Sequence, residues 1–263
     1  LSLVEADEAD GEIVTGVLRC THCSTQTQIV NGIWDTMAGD ALPLTPAQIT
    51  NYLPLAAKLY EPLWRWQALS LMSGRRFPLR EELTLLRDLV QPQAAQLYVD
   101  VACSVGLYAR TLARGGATVV GVDHSWAMLG EARRVAKAHA LRISYVRARA
   151  QVLPFVDGAA AGTTMGGSLN EIGDQHKALA EMARVTQTGG RLFCMNLLRA
   201  ESGWGRTLQD LLGTGGIDFF ERRTLNGWLA GAGWQPRAQW RWRVVVITLA
   251  RRAAVAPIIE ASI

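Results

Sequence analysis

From Ala95 onward, short apolar runs alternate with stretches of helical spacing. Leu97-Tyr98-Val99-Asp100-Val101 is apolar except for one acid and reads as a buried strand. A turn of small residues, Ala102-Cys103-Ser104-Val105-Gly106, leads into a helix over Leu107 to Arg114. Thr118 to Val122 is the second strand and ends in Asp123. Ser125 to His139 places Met128, Leu129, Ala132 and Val135 on one face of a helix. Ile143 to Val146 is the third strand, followed by a loop carrying Arg149, Ala150 and Gln151. Ala161 to Met165 is the fourth strand, with Gly166-Gly167-Ser168-Leu169-Asn170-Glu171 at its carboxyl end. Lys177 to Val185 is a helix stopped by Thr188-Gly189-Gly190, and Arg191 to Asn196 is the fifth strand. Thr224 to Ala232 is a last helix, and Trp240 to Leu249 supplies one or two closing strands in an antiparallel hairpin. Strand and helix in alternation imply a parallel α/β sheet.

The chain before Ala95 follows other patterns. Glu12 to Arg19 reads as a strand running into Cys20-Thr21-His22-Cys23, and Gln28 to Trp34 as a second strand or turn. A Cys-x-x-Cys knuckle presents two thiolates to one edge of a tetrahedral ion, so Cys20 and Cys23 are half of a zinc site. A second knuckle is absent, so the half-site is expected to be empty unless His22 or a pair upstream of Leu1 completes it. A redox pair is the competing reading, but no βαβ pattern surrounds these cysteines. Residues 37–46, with Gly39, Pro43 and Pro46, read as a linker in which Thr45 and Pro46 could open a helix. Ile49 to Leu89 is mostly helical, with breaks expected at Pro54 and Pro62. Tyr52, Tyr60, Trp64 and Trp66 lie among its leucines, either as core or as one wall of a pocket.

Composition narrows the class. At 263 residues and 49% hydrophobic, the chain can bury a sizeable core. A net charge of +4 and a pI of about 9.1 admit a nucleic-acid partner without requiring one. No apolar run approaches the ~18 residues of a membrane span. The start lacks the basic and apolar regions of a signal peptide and also lacks an initiator Met, which suggests a start inside a longer product. Four cysteines make no disulfide framework in a chain this long, and a reducing, cytoplasmic compartment is the simplest reading.

A strand, a tight small-residue turn and a helix start bring backbone N–H groups close to a ligand, and an acid about 20 residues on can take a ribose hydroxyl pair. Four segments in order, Val99 to Gly106, Val120 to Leu129, Leu153 to Gly158 and Ala180 to Leu192, resemble the class I S-adenosylmethionine-dependent methyltransferases. The likeness is to the small-molecule branch with the ubiquinone and menaquinone methyltransferases, and covers roughly residues 95–250. The amino-terminal knuckle and aromatic helices look like relatives that carry a zinc ribbon ahead of the fold.

The resemblance implies a Rossmann-like, mostly parallel seven-stranded sheet with helices on both faces. It divides the chain into a ribbon-like remnant and linker at 1–45, a helical cap at 46–92, a methyltransferase domain at 93–253 and a tail at 254–263. It implies S-adenosylmethionine as cofactor and S-adenosylhomocysteine as product. Asp100 would face the amino-acid part, while Ala102, Cys103, Ser104 and Gly106 let the backbone approach. Asp123 would take the ribose hydroxyls, His124 and Met128 would flank the adenine, and Arg149, Ala150 and Gln151 would lie at its edge. Gly167 and Ser168 would lie near the methyl group.

Three features depart from the family, one of them Ala161 and Gly162 in place of the usual Phe/Asp-rich entry to strand four. Ala102 and Ser104 stand where glycines are usual, and Arg149 stands where an aspartate commonly accepts from the adenine amino group; arginine has no acceptor. Methyl transfer is an in-line displacement that can need a base. Glu171 is the candidate, with His176 and His124 behind it; a solvated loop position is the alternative for Glu171 and His176. The expected acceptor is a small apolar or aromatic molecule. Alternatives are an RNA base methyltransferase, with Arg241, Arg243, Arg251 and Arg252 as its basic residues, or a non-catalytic protein of the same fold with weakened cofactor binding. Oligomeric state is left open.

Overall fold

The computed structural model describes residues 1–37, 45–61, 65, 67, 69–73, 76 and 79–254. The expected Gly39, Pro43, Pro62, Trp64 and Trp66, and nearly all of the expected tail, lie outside the described residues.

Four strands come first: β1 (Ser2–Ala9), β2 (Glu12–Arg19), β3 (Gln26–Val30) and β4 (Ile33–Asp35). Short helices follow, α1 (Pro46–Thr50), α2 (Pro54–Leu59) and α3 (Leu69–Ser73), then the longer α4 (Leu79–Val90). Thr45 caps α1 as expected, accepting from the Gln48 N–H while the Gln48 side chain returns to the Thr45 N–H. The helical run is interrupted before Pro54 as expected, and Pro54 opens α2, since the first helical position needs no N–H.

The alternating part begins at β5 (Leu97–Val101), α5 (Leu107–Arg114), β6 (Thr118–Asp123), α6 (Trp126–Ala138) and β7 (Ser144–Arg147). It continues through β8 (Ala160–Gly166), α7 (Gln175–Val185), β9 (Thr186–Leu197), α8 (Gly203–Gly213), α9 (Arg222–Gly231), β10 (Trp234–Trp242) and β11 (Val245–Arg252). The expected helix stop at Thr188 to Gly190 lies inside β9 instead. Thr186 ends α7 by donating its hydroxyl to the Met182 carbonyl at 2.7 Å, and the chain extends from there.

Among the described residues one sheet of eleven strands runs β1-β2-β3-β4-β7-β6-β5-β8-β9-β11-β10. The central five strands are parallel, and β11 returns antiparallel between β9 and β10. This is the expected seven-stranded core with four strands added. The joint is parallel pairing of β4 with β7, with Ile33, Trp34 and Asp35 opposite Tyr145, Val146 and Arg147. The amino-terminal strands therefore extend the core sheet.

Side chains alternate across the sheet because successive residues of a strand point to opposite faces. Val99, Val101, Leu192 and Cys194 pack with Leu179, Met182, Leu225 and Leu229 of α7 and α9. Tyr98, Val119, Phe193 and Met195 pack with Leu86, Ala109 and Leu112 of α4 and α5 on the opposite face. Ile33 and Tyr145 continue that face against Leu129, Ala132 and Ala136 of α6. Both faces are covered, so functional groups collect at the strand ends.

Candidate functional site at the carboxyl edge of the sheet

Register places Asp100 near the end of β5 opposite Gly121, and Asp123 at the end of β6 opposite Arg147. The turn after β5 keeps a tight shape: Ala102 has φ +51°, Ser104 +49° and Gly106 +76°. Gly106 caps α5, and a Cβ there would stand 3.2 Å from Ala132 Cβ and Tyr145 Oη. The turn aims the Ser104 N–H at Asp123 Oδ2, 2.9 Å away, and the Ser125 N–H meets Oδ1 at 2.9 Å. Each oxygen keeps a further acceptor position.

Asp100 is held differently. Its oxygens accept from Thr164 Oγ1 at 2.7 Å and the Ala109 N–H at 2.9 Å, and it is 1% exposed. Burial outweighs those hydrogen bonds and pushes its carboxyl up to about 7.

Three adjoining spaces follow this edge. The widest, about 340 Å³, is lined by Asp123, His124, Arg149, Ala150, Gln151 and Gln48, among others. It is the size of a small ligand pocket, which begins at about 300 Å³. Next to it a space of about 30 Å³ touches Ser104, Asp123, Met128, Ser168, Glu171 and Tyr60. Beyond that a space of about 20 Å³ touches Tyr60, Arg65, Asp100 and Gly166. A larger groove of about 540 Å³, beside Asp88, Arg191, Arg237 and Arg251, lies at the opposite ends of the strands and holds none of the expected cofactor or catalytic residues, although Arg251 belongs to the RNA reading.

The expected residues fall into three groups. Asp100, Ala102, Ser104, Asp123, His124, Met128, Arg149, Ala150, Gln151, Ser168 and Glu171 line these spaces. Gly106 and Gly167 shape the backbone; Gly167 has φ +100°, and a Cβ there would reach within 2.8 Å of Met195 Cε. Cys103 lines the narrowest space, but it also packs with Leu129 and Tyr145, and burial holds its thiol well above the usual range. His176 is not brought in: it is exposed on α7, against Gly231 of α9.

Glu171 lies half-buried after the turn Ser168–Asn170. Burial pushes its carboxyl up to about 7, an Asn51 hydrogen bond opposes this, and the Asp123 charge adds to it. Gln48 Nε2 donates to the Glu171 carbonyl at 3.0 Å.

The cap supplies residues with little sequence signal. Tyr52 Oη lies 2.8 Å from His124 Nδ1. Tyr60 is within hydrogen-bonding reach of Ser104, and burial raises its phenol. Arg65 Nη2 donates to Glu82 Oε1 at 2.7 Å, Tyr108 donates to the same oxygen, and the guanidinium lies over the Tyr108 ring. Arg65 is 2% exposed and Glu82 0%. An arginine amid apolar residues gives no hint of a buried pair until the fold brings α4 beside it.

At the amino-terminal knuckle, Cys20 is half-buried and Cys23 exposed, both as free thiols. Cys23 Sγ lies 3.2 Å from Thr25 Oγ1, and the hydrogen bonds that the Thr25 hydroxyl and N–H can give to the thiolate lower its pKa. Among the described residues no group of three or more His, Cys, Asp or Glu side chains could hold a metal ion, so His22 does not complete the half-site.

Residues 99–194 match the family model described as a methyltransferase domain. A demethylmenaquinone methyltransferase of Thermus thermophilus is 39% identical over 110 residues, 41% of this chain and 50% of that protein. An uncharacterized chloroplastic methyltransferase of Arabidopsis thaliana is 32% identical over 153 residues, 56% of this chain and 43% of that one. The chain spans about half the length of the curated demethylmenaquinone methyltransferases it matches. Among solved structures, the [4+2]-cyclase SpnF superposes with a TM-score of 0.64 at 17% identity, covering 82% of this chain and 99% of that one. Geranyl diphosphate C-methyltransferase from Streptomyces coelicolor A3(2) superposes with a TM-score of 0.59 at 17% identity, covering 66% and 81%. A cyclase among the neighbours means that the fold alone does not fix the chemistry. No described helix is long and apolar enough to cross a membrane.

Proposed function

We propose that this chain, which carries a class I S-adenosylmethionine-dependent methyltransferase domain of the quinone methyltransferase-like branch, methylates a small apolar or aromatic acceptor. The observation that carries the reading is Asp123: a carboxylate at the tip of the second core strand, fixed by two backbone N–H groups, with acceptor capacity turned to a 340 Å³ space. Its charge suits a ribose hydroxyl pair. The tight turn suits a backbone approach, and its left-handed residues keep the glycine-like shape despite Ala102 and Ser104.

When bound, S-adenosylmethionine supplies an electrophilic methyl group on a sulfonium sulfur. The chain's own work is alignment and exclusion of water. Asp123 orients the nucleoside end, and His124, Ala150 and Gln151 border it. Tyr60 and Arg65 close the other end. Glu171, with its carboxyl near 7, takes the proton that the acceptor gives up. The relatives support a small acceptor, since they are named for demethylmenaquinone and geranyl diphosphate. Two of the four basic residues of the RNA reading are engaged on the closing hairpin: Arg241 pairs with Glu201, and Arg252 donates to the Arg184 carbonyl.

Calorimetric titration with S-adenosylmethionine and S-adenosylhomocysteine tests the reading. Micromolar binding is expected, weakened about 100-fold in Asp123→Asn, roughly the loss of a charged hydrogen-bond pair. Absence of binding by folded protein would overturn it in favour of a non-catalytic member of the fold. With a reduced naphthoquinone as the first acceptor, kcat should rise with pH and level off above about 7 as Glu171 ionises. Glu171→Gln should lower kcat by about 10²–10⁴ and abolish that rise. An unchanged profile in Glu171→Gln would remove it from the mechanism.

A further inference from the structure

Arg147 stands between two acids in one row of the sheet. It is in register with Asp35 of β4 on one side and Asp123 of β6 on the other. Residues in register on parallel strands project to the same face, so both carboxylates compete for one guanidinium. The structure gives it to Asp35: Nη1 lies 3.0 Å from Oδ1 and 3.3 Å from Oδ2. Arg147 Nε donates to the His124 carbonyl at 3.1 Å, and the guanidinium lies 5.2 Å from the Trp126 ring centroid. Asp123 is left with the Ser104 and Ser125 N–H groups. Asp35 is only 8% exposed and also accepts the Met37 N–H at 2.9 Å, while Thr36 donates to the Arg147 carbonyl from both its N–H and its hydroxyl.

We infer that Asp35 is a positioning residue of the cofactor site: it holds the Arg147 guanidinium off Asp123 and onto the His124 carbonyl, leaving Asp123 free for ligand hydroxyls. The amino-terminal strands thereby become part of the site, although none of their residues lines it. With Asp35 neutralised, Asp123 is the remaining carboxylate in that row, and Arg147 would turn to it. The remaining acceptor capacity of Asp123 would then be filled from within the protein. The inference rests on the methyltransferase reading.

The test uses S-adenosylhomocysteine titration of the full chain, Asp35→Asn, and the double variant Asp35→Asn with Arg147→Gln. Asn keeps an oxygen for the Met37 N–H, and circular dichroism checks folding. Asp35→Asn should weaken binding about tenfold, and the double variant should recover to within about threefold of the parent because the competitor is gone. A merely structural Asp35 would leave the double variant no better than the single, and that result would overturn the inference. The Arg147 Nε–H resonance in nitrogen-15 NMR of the ligand-free protein, assigned by its loss in Arg147→Gln, gives an independent arm. It should shift and exchange faster in Asp35→Asn. If the parent binds no S-adenosylhomocysteine, the functional reading fails, and this arm decides alone: a shifted resonance sustains the Asp35 grip, and an unchanged one overturns it.

Discussion

Asp100 and Asp123 end neighbouring strands of one sheet, yet their surroundings differ. Beside Asp123 the loop after β7 leaves about 340 Å³ of space. Beside Asp100 the space falls to about 20 Å³, because Tyr60 and Arg65 descend from the cap. Each carboxylate has one donor on each oxygen, but Asp123 is 7% exposed and borders the larger space, while Asp100 is 1% exposed and has no comparable room for a ligand. The sheet thus offers two equivalent positions, and what packs above them decides which is an open half-site and which is a filled one.

The filled half depends on the buried pair of Arg65 and Glu82, so breaking that pair gives the largest expected effect. Glu82→Ala leaves an arginine, 2% exposed, without its carboxylate and strands the Tyr108 hydroxyl. The expected loss is about 3–5 kcal/mol of unfolding free energy, read by urea denaturation. Replacing both partners, Arg65→Met with Glu82→Leu, should cost far less, because no unpaired charge remains. A loss below about 1 kcal/mol in Glu82→Ala would mean that the cap is not held by this pair and that the contrast between the halves has another origin.

A smaller effect distinguishes the acids by pH. Burial raises the folded-state carboxyl of Asp100 from 3.8 to about 7. The folded protein then binds the proton more tightly than the unfolded chain. The contribution of Asp100 to stability is therefore greatest below about 4, falls as pH rises towards about 7, and is level above that. Asp100→Asn should remove a pH-dependent change on the order of 4 kcal/mol. An amide can still accept from Ala109 and donate to Thr164 Oγ1. Glu171, also raised to about 7, contributes in the same window, so some slope should remain. Urea titrations between pH 4 and pH 8 that give parallel curves for parent and variant would show that Asp100 does not carry the linkage.

The open half was the more legible in sequence. The apolar run, small-residue turn and Asp123 lie within about 25 residues of chain, and local periodicity places them without knowledge of distant contacts. The cap was legible as aromatic helix but not in its contacts: Arg65, Glu82 and Tyr108 come from three separate segments, and only packing shows that they converge. β1 left no signal because all eight of its residues are exposed, so one face never needed to be apolar. α8 was missed for a related reason: its leucines Leu208, Leu211 and Leu212 are exposed and only Gln209 is buried. The pairing of three-residue β4 with β7 joins residues more than 100 apart, a register that local pattern cannot specify. His176 shows the converse error, since nearness to Glu171 in sequence does not carry it into the site once α7 turns it towards α9.

The smallest expected effect tests the joint between the halves. Ala102 borders both the 20 Å³ and the 340 Å³ spaces and holds φ +51°. An L-residue in the left-handed region carries a cost of about 1–2 kcal/mol that glycine avoids. The freer unfolded chain of glycine offsets about 0.5–1 kcal/mol of that. Ala102→Gly should therefore stabilise the protein by somewhat less than about 1 kcal/mol. Ser104→Gly should gain less, since it also removes the hydroxyl contact with Met128 Sδ at 3.3 Å. If the site needs only the shape of the turn, Ala102→Gly should bind S-adenosylhomocysteine as well as the parent or a few-fold tighter, because the lost methyl widens both spaces. Weaker binding with unchanged stability would mean that the alanine side chain itself meets the ligand, and that the two halves are joined by a contact rather than by backbone geometry.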